Sequence, residues 1–259
     1  MRFATLAAFG LAAFTLHGQP ASAPAFEVAS VKPADPNARV GMGLFTYPGG
    51  RITGHMCKLD YLMQEAFDIQ PFQISGGPRW IHEDRYDIEA KPPANSKSSK
   101  ANPNNPKLPP NQEQRQMLQA LLAERFHLRY RRETNEGSVY YLVKTGKALK
   151  LQEPKDKEGY PWVGSVSGAA INGDGLAGTN ATMPLMAARL SLYLERPVID
   201  RTGLEGSFDF KFEYRSDDPR PDIISCILTS VEALGLKLQT GRGPVETLVI
   251  ESAERPAAN

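Results

Sequence analysis

The sequence predicts an α+β protein built from two tandem, related modules, each of strands and two helices. Three observations predict it. Residues 48–54, Pro-Gly-Gly-Arg-Ile-Thr-Gly, are matched in pattern by residues 172–178, Asn-Gly-Asp-Gly-Leu-Ala-Gly, and a segment of helical spacing follows each. Tyr86-Asp87-Ile88-Glu89-Ala90-Lys91 is echoed by Phe208-Asp209-Phe210-Lys211-Phe212-Glu213. The helix ending Phe126-His127-Leu128-Arg129-Tyr130 is echoed by one ending Leu234-Gly235-Leu236-Lys237-Leu238. A repeat constrains architecture before any motif is read.

The chain has 259 residues, enough for one large domain or two small ones. Residues 1–23 read as an export signal. Arg2 is the basic start, Ala4 to Leu16 is apolar, and Ala21-Ser22-Ala23 has the small-x-small form of a cleavage site. Pro24 disfavours cleavage directly before it, so a site nearer Gly18 or Gln19 stays open. The apolar run is too short to span roughly 30 Å of hydrocarbon. The expected location is therefore periplasmic or extracellular. Removing the leader takes away Arg2, so the 30 basic residues fall level with the 29 acidic ones. A neutral chain has no field to attract nucleic acid or an anionic membrane.

The first module is expected over 24–150. Phe26 to Lys32 alternates apolar and polar residues, as a half-buried strand does, and Pro33 ends it. Gly43 to Gly54 reads as a hairpin around Pro48-Gly49-Gly50. Leu59, Leu62, Met63, Ala66 and Phe67 recur at helical spacing. Gly76-Gly77-Pro78 punctuates, and Arg85 to Lys91 alternates again. Residues 92–112 carry too few apolar side chains to order themselves and read as a flexible loop. Asn111 is placed to cap a helix whose stripe is Met117, Leu118, Leu121, Leu122 and Phe126. Leu128 to Arg132 and Val139 to Lys144 read as a hairpin turning at Asn135-Glu136-Gly137.

The second module is expected over 151–259 in the same order. Val163 to Gly178 supplies the opening strands. Met183, Met186, Leu190 and Leu194 mark a helix. Arg196 to Asp200 leads through Thr202-Gly203 to the strand Phe208 to Tyr214. Asp222 is placed to cap a helix carrying Ile223, Ile224, Ile227, Val231 and Leu234. Leu236 to Gln239 and Val245 to Glu251 read as a last hairpin around Gly241-Arg242-Gly243. Gly54 to Tyr86 is 32 positions and Gly178 to Phe208 is 30. Tyr86 to Leu128 is 42 against 28 for Phe208 to Leu236, and the excess falls in the polar loop.

Several segments together resemble one family. They are Phe26-Glu27-Val28-Ala29-Ser30-Val31-Lys32-Pro33, Gly76-Gly77-Pro78-Arg79-Trp80, Arg85-Tyr86-Asp87-Ile88, Leu121 to Phe126, Arg196 to Leu204, and Pro244-Val245-Glu246 to Pro256. The combination is similar to a paralogous family of exported proteins abundant in soil acidobacteria, carried as a domain of unknown function. The resemblance implies export and no particular activity. Some members are attached to membrane metallopeptidase sensors, which implies an envelope or signalling role. Each module alone resembles, in pattern, the small N-terminal domain of secretins and TonB-dependent transporters, an interaction module of the periplasm.

No motif points to catalysis. The histidines at 17, 55, 82 and 127 have no metal-site spacing. The glycine clusters lack the Lys-Ser/Thr of a phosphate loop. No cofactor and no metal is expected. Asp87 and Asp209 occupy equivalent strand positions on what alternation makes a polar face. Asp200-Arg201-Thr202-Gly203 reads as a turn whose Asp and Thr side chains bond their own backbone, with ligand contact as the other reading. The candidate binding residues are Trp80, Asp200, Arg201 and Thr202. Cys57 and Cys226 leave two readings open, a disulfide or two buried thiols. The expected function is a non-catalytic binding module for an envelope protein, peptide or cell-wall component. The alternatives are a regulatory partner of a membrane metallopeptidase and an extracytoplasmic hydrolase.

Overall fold

A computed structural model describes residues 24–38, 41–94, 96, 109–167, 174–213 and 223–257. The leader, most of the polar 92–112 stretch and the expected cap Asp222 lie outside the described residues.

The architecture is α+β. The strands are β1 (Val28–Pro33), β2 (Gly43–Thr46), β3 (Ile52–Cys57), β4 (Ile74–Gly76), β5 (Tyr86–Lys91), β6 (Arg129–Lys144), β7 (Trp162–Ser167), β8 (Asp174–Thr182), β9 (Val198–Asp200), β10 (Ser207–Glu213) and β11 (Leu236–Ser252). The helices are α1 (Leu59–Phe67), α2 (Gln112–Arg125), α3 (Met183–Leu194) and α4 (Ile223–Ala233). One antiparallel sheet has the order β1-β5-β3-β2. A second has the order β10-β8-β7. Between them β4-β11-β6-β9 forms a central sheet.

Helical spacing places the apolar stripes inward as expected. Leu59, Leu62, Met63, Ala66 and Phe67 of α1 are all buried. Asn111 caps α2 with a reciprocal pair of bonds. Its Oδ1 accepts from the Gln114 amide, and Gln114 Oε1 accepts from the Asn111 amide, at 2.9 Å each. Thr182 caps α3 through the Leu185 amide.

The central sheet departs from the sequence expectation. The two predicted hairpins do not form. Residues 129–144 and 236–252 are instead two long, unbroken strands paired antiparallel with each other. The predicted turns lie face to face, with Gly137 opposite Gly243 and Val139 opposite Gly241. Glycine here serves close approach. A Cβ at Gly241 would stand 2.5 Å from a ring carbon of Tyr141, and one at Gly243 would stand 2.7 Å from its hydroxyl. The Tyr141 ring lies across the glycines, and its hydroxyl donates to the Arg242 carbonyl at 2.6 Å.

This pairing interlaces the halves. Leu248 and Ile250, at the end of the chain, are buried with α1, α2 and β1 in the first core. Tyr140 and Leu142, before residue 150, are buried with α3, α4 and β10 in the second. The cores therefore do not follow the boundary at 150/151. The short strands β4 and β9, which periodicity does not reveal, join across the same line. β4 runs parallel to β11, and β9 runs parallel to β6.

Local backbone features recur at matched positions. The β3–β5 register shifts after Gly54, and the β8–β10 register shifts between Phe208 and Phe210. At each bulge one residue with a side chain takes a left-handed conformation, Met56 at φ 52° and Asn180 at φ 46°. Such a conformation costs roughly 1–2 kcal/mol. Each amide is held by an aspartate across the sheet: Met56 N donates to Asp87 Oδ1 at 2.9 Å, and Asn180 N to Asp209 Oδ1 at 2.8 Å. The equivalent aspartates thus serve two separate bulges in two sheets.

Candidate functional site

With their apolar stripes turned inward, α1 and α3 present their other faces to each other. Tyr61, Gln64, Glu65 and Asp68 line one wall, and Leu185, Ala188, Arg189 and Leu192 the other. Pro109 and Arg115, from the start of α2, close one side. The result is a groove of about 550 Å³ in the seam between the two halves. A smaller recess of about 220 Å³ adjoins it and shares Tyr61, Glu65, Pro109 and Arg189. Gln70 Nε2 spans the seam, donating to the Ala188 carbonyl at 3.5 Å.

The electrostatics of this groove are unusual for an open surface. Burial is the main cause that raises the Glu65 carboxyl above its ordinary range, while the Tyr61 hydroxyl and the Arg115 and Arg189 guanidiniums pull the other way. The Tyr61 phenol is also raised, first by burial and then by the Glu65 charge. Its oxygen accepts from the Leu44 amide at 3.3 Å. Tyr160, raised by its own burial, is within electrostatic reach of Arg115 and Glu65. Arg115 is paired with Asp68. A guanidinium binds a carboxylate through two parallel bonds. Ile69, Leu185 and Leu192 supply apolar wall. The groove thus brings guanidiniums, a phenol and apolar wall together. Among the described residues no group of three or more His, Cys, Asp or Glu side chains could hold a metal.

The residues singled out in the sequence stand elsewhere. Trp80 is only 9 % exposed and belongs to the first core. Its indole stacks near Phe126 and meets Tyr86 edge-on, and the Arg255 guanidinium lies over it at 5.3 Å. It is a packing residue, because the open side that an anchor needs is covered. Asp200 and Thr202 form the turn that their spacing predicts: Asp200 Oδ1 accepts from Thr202 N at 2.8 Å, and Thr202 Oγ1 from Leu204 N at 3.1 Å. Thr202 is 2 % exposed. The Arg201 guanidinium lies 3.6 Å over the Tyr141 ring. These four residues do not come together in one site. Cys57 is a buried free thiol, pushed up to about 12 by burial first and by the Glu65 charge second. It makes no disulfide with Cys226, whose side chain lies outside the described residues.

Sequence reasoning missed Tyr61, Glu65, Arg115 and Arg189. One signal was available. Tyr61 and Glu65 are four apart on the outer face of α1, where neighbouring side chains meet. The partner residues sit on other helices, so no local pattern connects them.

Residues 60–253 match a protein family described as Protein of unknown function (DUF3738). The chain belongs to this family. The matched range begins inside α1 and ends just after β11, so it takes in both walls of the groove and the whole β6–β11 ladder. No curated protein and no solved structure matches the chain.

Proposed function

We propose that the chain is an exported, non-catalytic binding module of the cell envelope, and that the α1–α3 groove is where it binds. Export is supported by Arg2, the apolar run Ala4 to Leu16 and Ala21-Ser22-Ala23. Matched bulges, left-handed caps at Asp68 after α1 and Glu195 after α3, and matched strand orders support a duplicated module, which brings two similar helices together across a seam. The single observation that carries the binding reading is the grouping of Arg115, Arg189 and the half-buried Glu65 beside apolar wall. That grouping suits a short peptide, or a peptide-bearing cell-wall component, held by its carboxylate.

The test is calorimetric titration with a muramyl stem peptide carrying a free C-terminal carboxylate, and with its C-terminal amide. The free acid is expected to bind, the amide at least 10-fold more weakly, and Arg189→Ala to remove the difference. Flat titrations with both ligands at millimolar concentration would contradict the reading. One observation favours a hydrolase as the second reading: Glu65 and Tyr61, both raised, share the groove. Cleavage of the same peptide, lost in Glu65→Gln, would select it.

A further inference from the structure

Beside the groove stands a loop that neither α1 nor α3 supplies. Residues 155–160 lie against the second sheet, and two side chains hold them there. Asp209 Oδ2 accepts from the Lys155 amide at 3.0 Å. Asn180 Nδ2 donates to the Gly159 carbonyl at 2.6 Å and to the Lys157 carbonyl at 3.2 Å. Ser207 Oγ donates to Asn180 Oδ1, which leaves the amide nitrogen facing the loop. Inside the loop the Gly159 amide closes on the Asp156 carbonyl at 3.2 Å. The matched left-handed residue of the first half is Met56, whose thioether has no proton to donate. The tether thus belongs to the second half. Tyr160 ends the tethered loop. It is 37 % exposed and stands within electrostatic reach of Arg115 and Glu65.

The two guanidiniums of the groove are placed differently. Arg189 lines both the groove and the adjoining recess. Arg115 and Asp68 line the groove alone, and they are paired with each other. Arg115 Nε also donates to the Pro110 carbonyl at 3.0 Å, which pins the guanidinium. A guanidinium already paired in this way is a weak attractor for a further carboxylate. The pair does present nitrogen donors directly beside oxygen acceptors. A hydroxyl both donates and accepts, so neighbouring hydroxyls on one sugar ring suit such a pair. A pyranose ring also has an apolar face, and a phenol is a flat apolar body with a polar tip. Tyr160 beside Arg115 and Asp68 brings these two kinds of contact together.

We propose that Tyr160 and the Arg115–Asp68 pair form a sugar subsite of the groove. The ligand is then a glycopeptide, with its pyranose ring on Tyr160 and its peptide carboxylate at Arg189. The assignment rests on the groove being the binding site, and it selects a peptide-bearing cell-wall component over a free peptide. Asn180 is a positioning residue, because it holds the loop that carries Tyr160.

The experiment uses the chain from residue 24 and two ligands, a muramyl stem peptide and the same stem peptide without the muramyl residue. Both carry a free C-terminal carboxylate. Calorimetric titration is expected to show the muramyl peptide binding about 10-fold more tightly. Tyr160→Ala is expected to remove that difference and to leave the affinity for the free stem peptide unchanged. Tyr160→Phe keeps the ring and is expected to keep most of the difference. Asn180→Gly keeps the left-handed backbone, deletes the tether and is expected to lose most of it. Arg189→Ala is expected to weaken both ligands alike. The Tyr160 ring signals in NMR are expected to move saturably with N-acetylglucosamine, which has no carboxylate. Equal affinities of the wild type for the two peptides, or a Tyr160→Ala loss shared by both, overturns the subsite and leaves the groove reading in place. If neither peptide binds, the groove reading fails. The subsite then stands on the Tyr160 signals, and it is overturned if they do not respond to the sugar.

Discussion

The two halves carry one device at the same place and close their outer edges differently. In each half an aspartate on a strand holds the amide of a left-handed residue, Asp87 for Met56 and Asp209 for Asn180, and a helix starts just beyond. Beside that strand the first half has β1, while the second has, among the described residues, one bridge and a cavity. The shared device teaches what the turn from strand into helix requires. The unshared edge shows that the two halves keep the same inner strands while their outer edges differ among the described residues. A third feature belongs to neither half alone, since each lends the other the far end of its long strand.

The largest expected effect tests that exchange. Leu142 and Leu248 are both essentially fully buried, each in the core of the other half. Leu→Ala in such places costs about 2–5 kcal/mol. Denaturant unfolding is expected to show that loss for either variant. Hydrogen exchange is expected to loosen α3 and α4 in Leu142→Ala, and α1 and α2 in Leu248→Ala. The opposite assignment would break the comparison.

Next in size is Gly241→Val. The added carbons meet the Tyr141 ring, and overpacking of this kind costs about 1–3 kcal/mol. Tyr141→Ala in the same chain is expected to relieve part of it, which a double-mutant cycle measures.

Glu65 sharpens the seam. Its folded-state carboxyl is raised, so the fold favours the neutral form. The contribution is fully present below the ordinary value of 4.5 and is lost as pH rises through the raised one. Glu65→Gln is expected to flatten that decline, so that its stability relative to the wild type improves as pH rises, as read from thermal unfolding at several pH values.

The smallest effect is at Asp209, whose carboxyl is lowered first by the Asn180 amide and then by the Lys155 amide. Its contribution is present above the ordinary value of 3.8 and lost as pH falls through the lowered one. The site is open to water, so Asp209→Asn is expected to cost no more than about 1 kcal/mol. The cost should vanish in acid. A cost that persists in acid would mean that the side chain acts through shape alone.

Much of this fold is written locally. The stripe of α1, the Asn111 cap and the β2–β3 hairpin follow from spacing and turn chemistry, and the structure has them where spacing puts them. The Asp200–Thr202 turn follows from side chains that bond their own backbone. The β6–β11 ladder was not legible, because Asn135-Glu136-Gly137 and Gly241-Arg242-Gly243 satisfy the rules for a turn equally well. Only the distant partner strand decides that they stay extended. Trp80 misleads for a related reason. A turn-flanking indole looks open in sequence, and Arg255 from the far end of the chain covers it. The groove was illegible because its charged groups come from three helices, each of which reads as an ordinary solvated face.

The central claim is that neither half is complete without the other's strand. Residues 24–150 and 151–259 should be made separately, then together, and followed by circular dichroism and cooperative thermal unfolding. The account predicts no cooperative transition for either piece alone and a native-like transition when the two are co-expressed. Two pieces that each melt cooperatively on their own would contradict it.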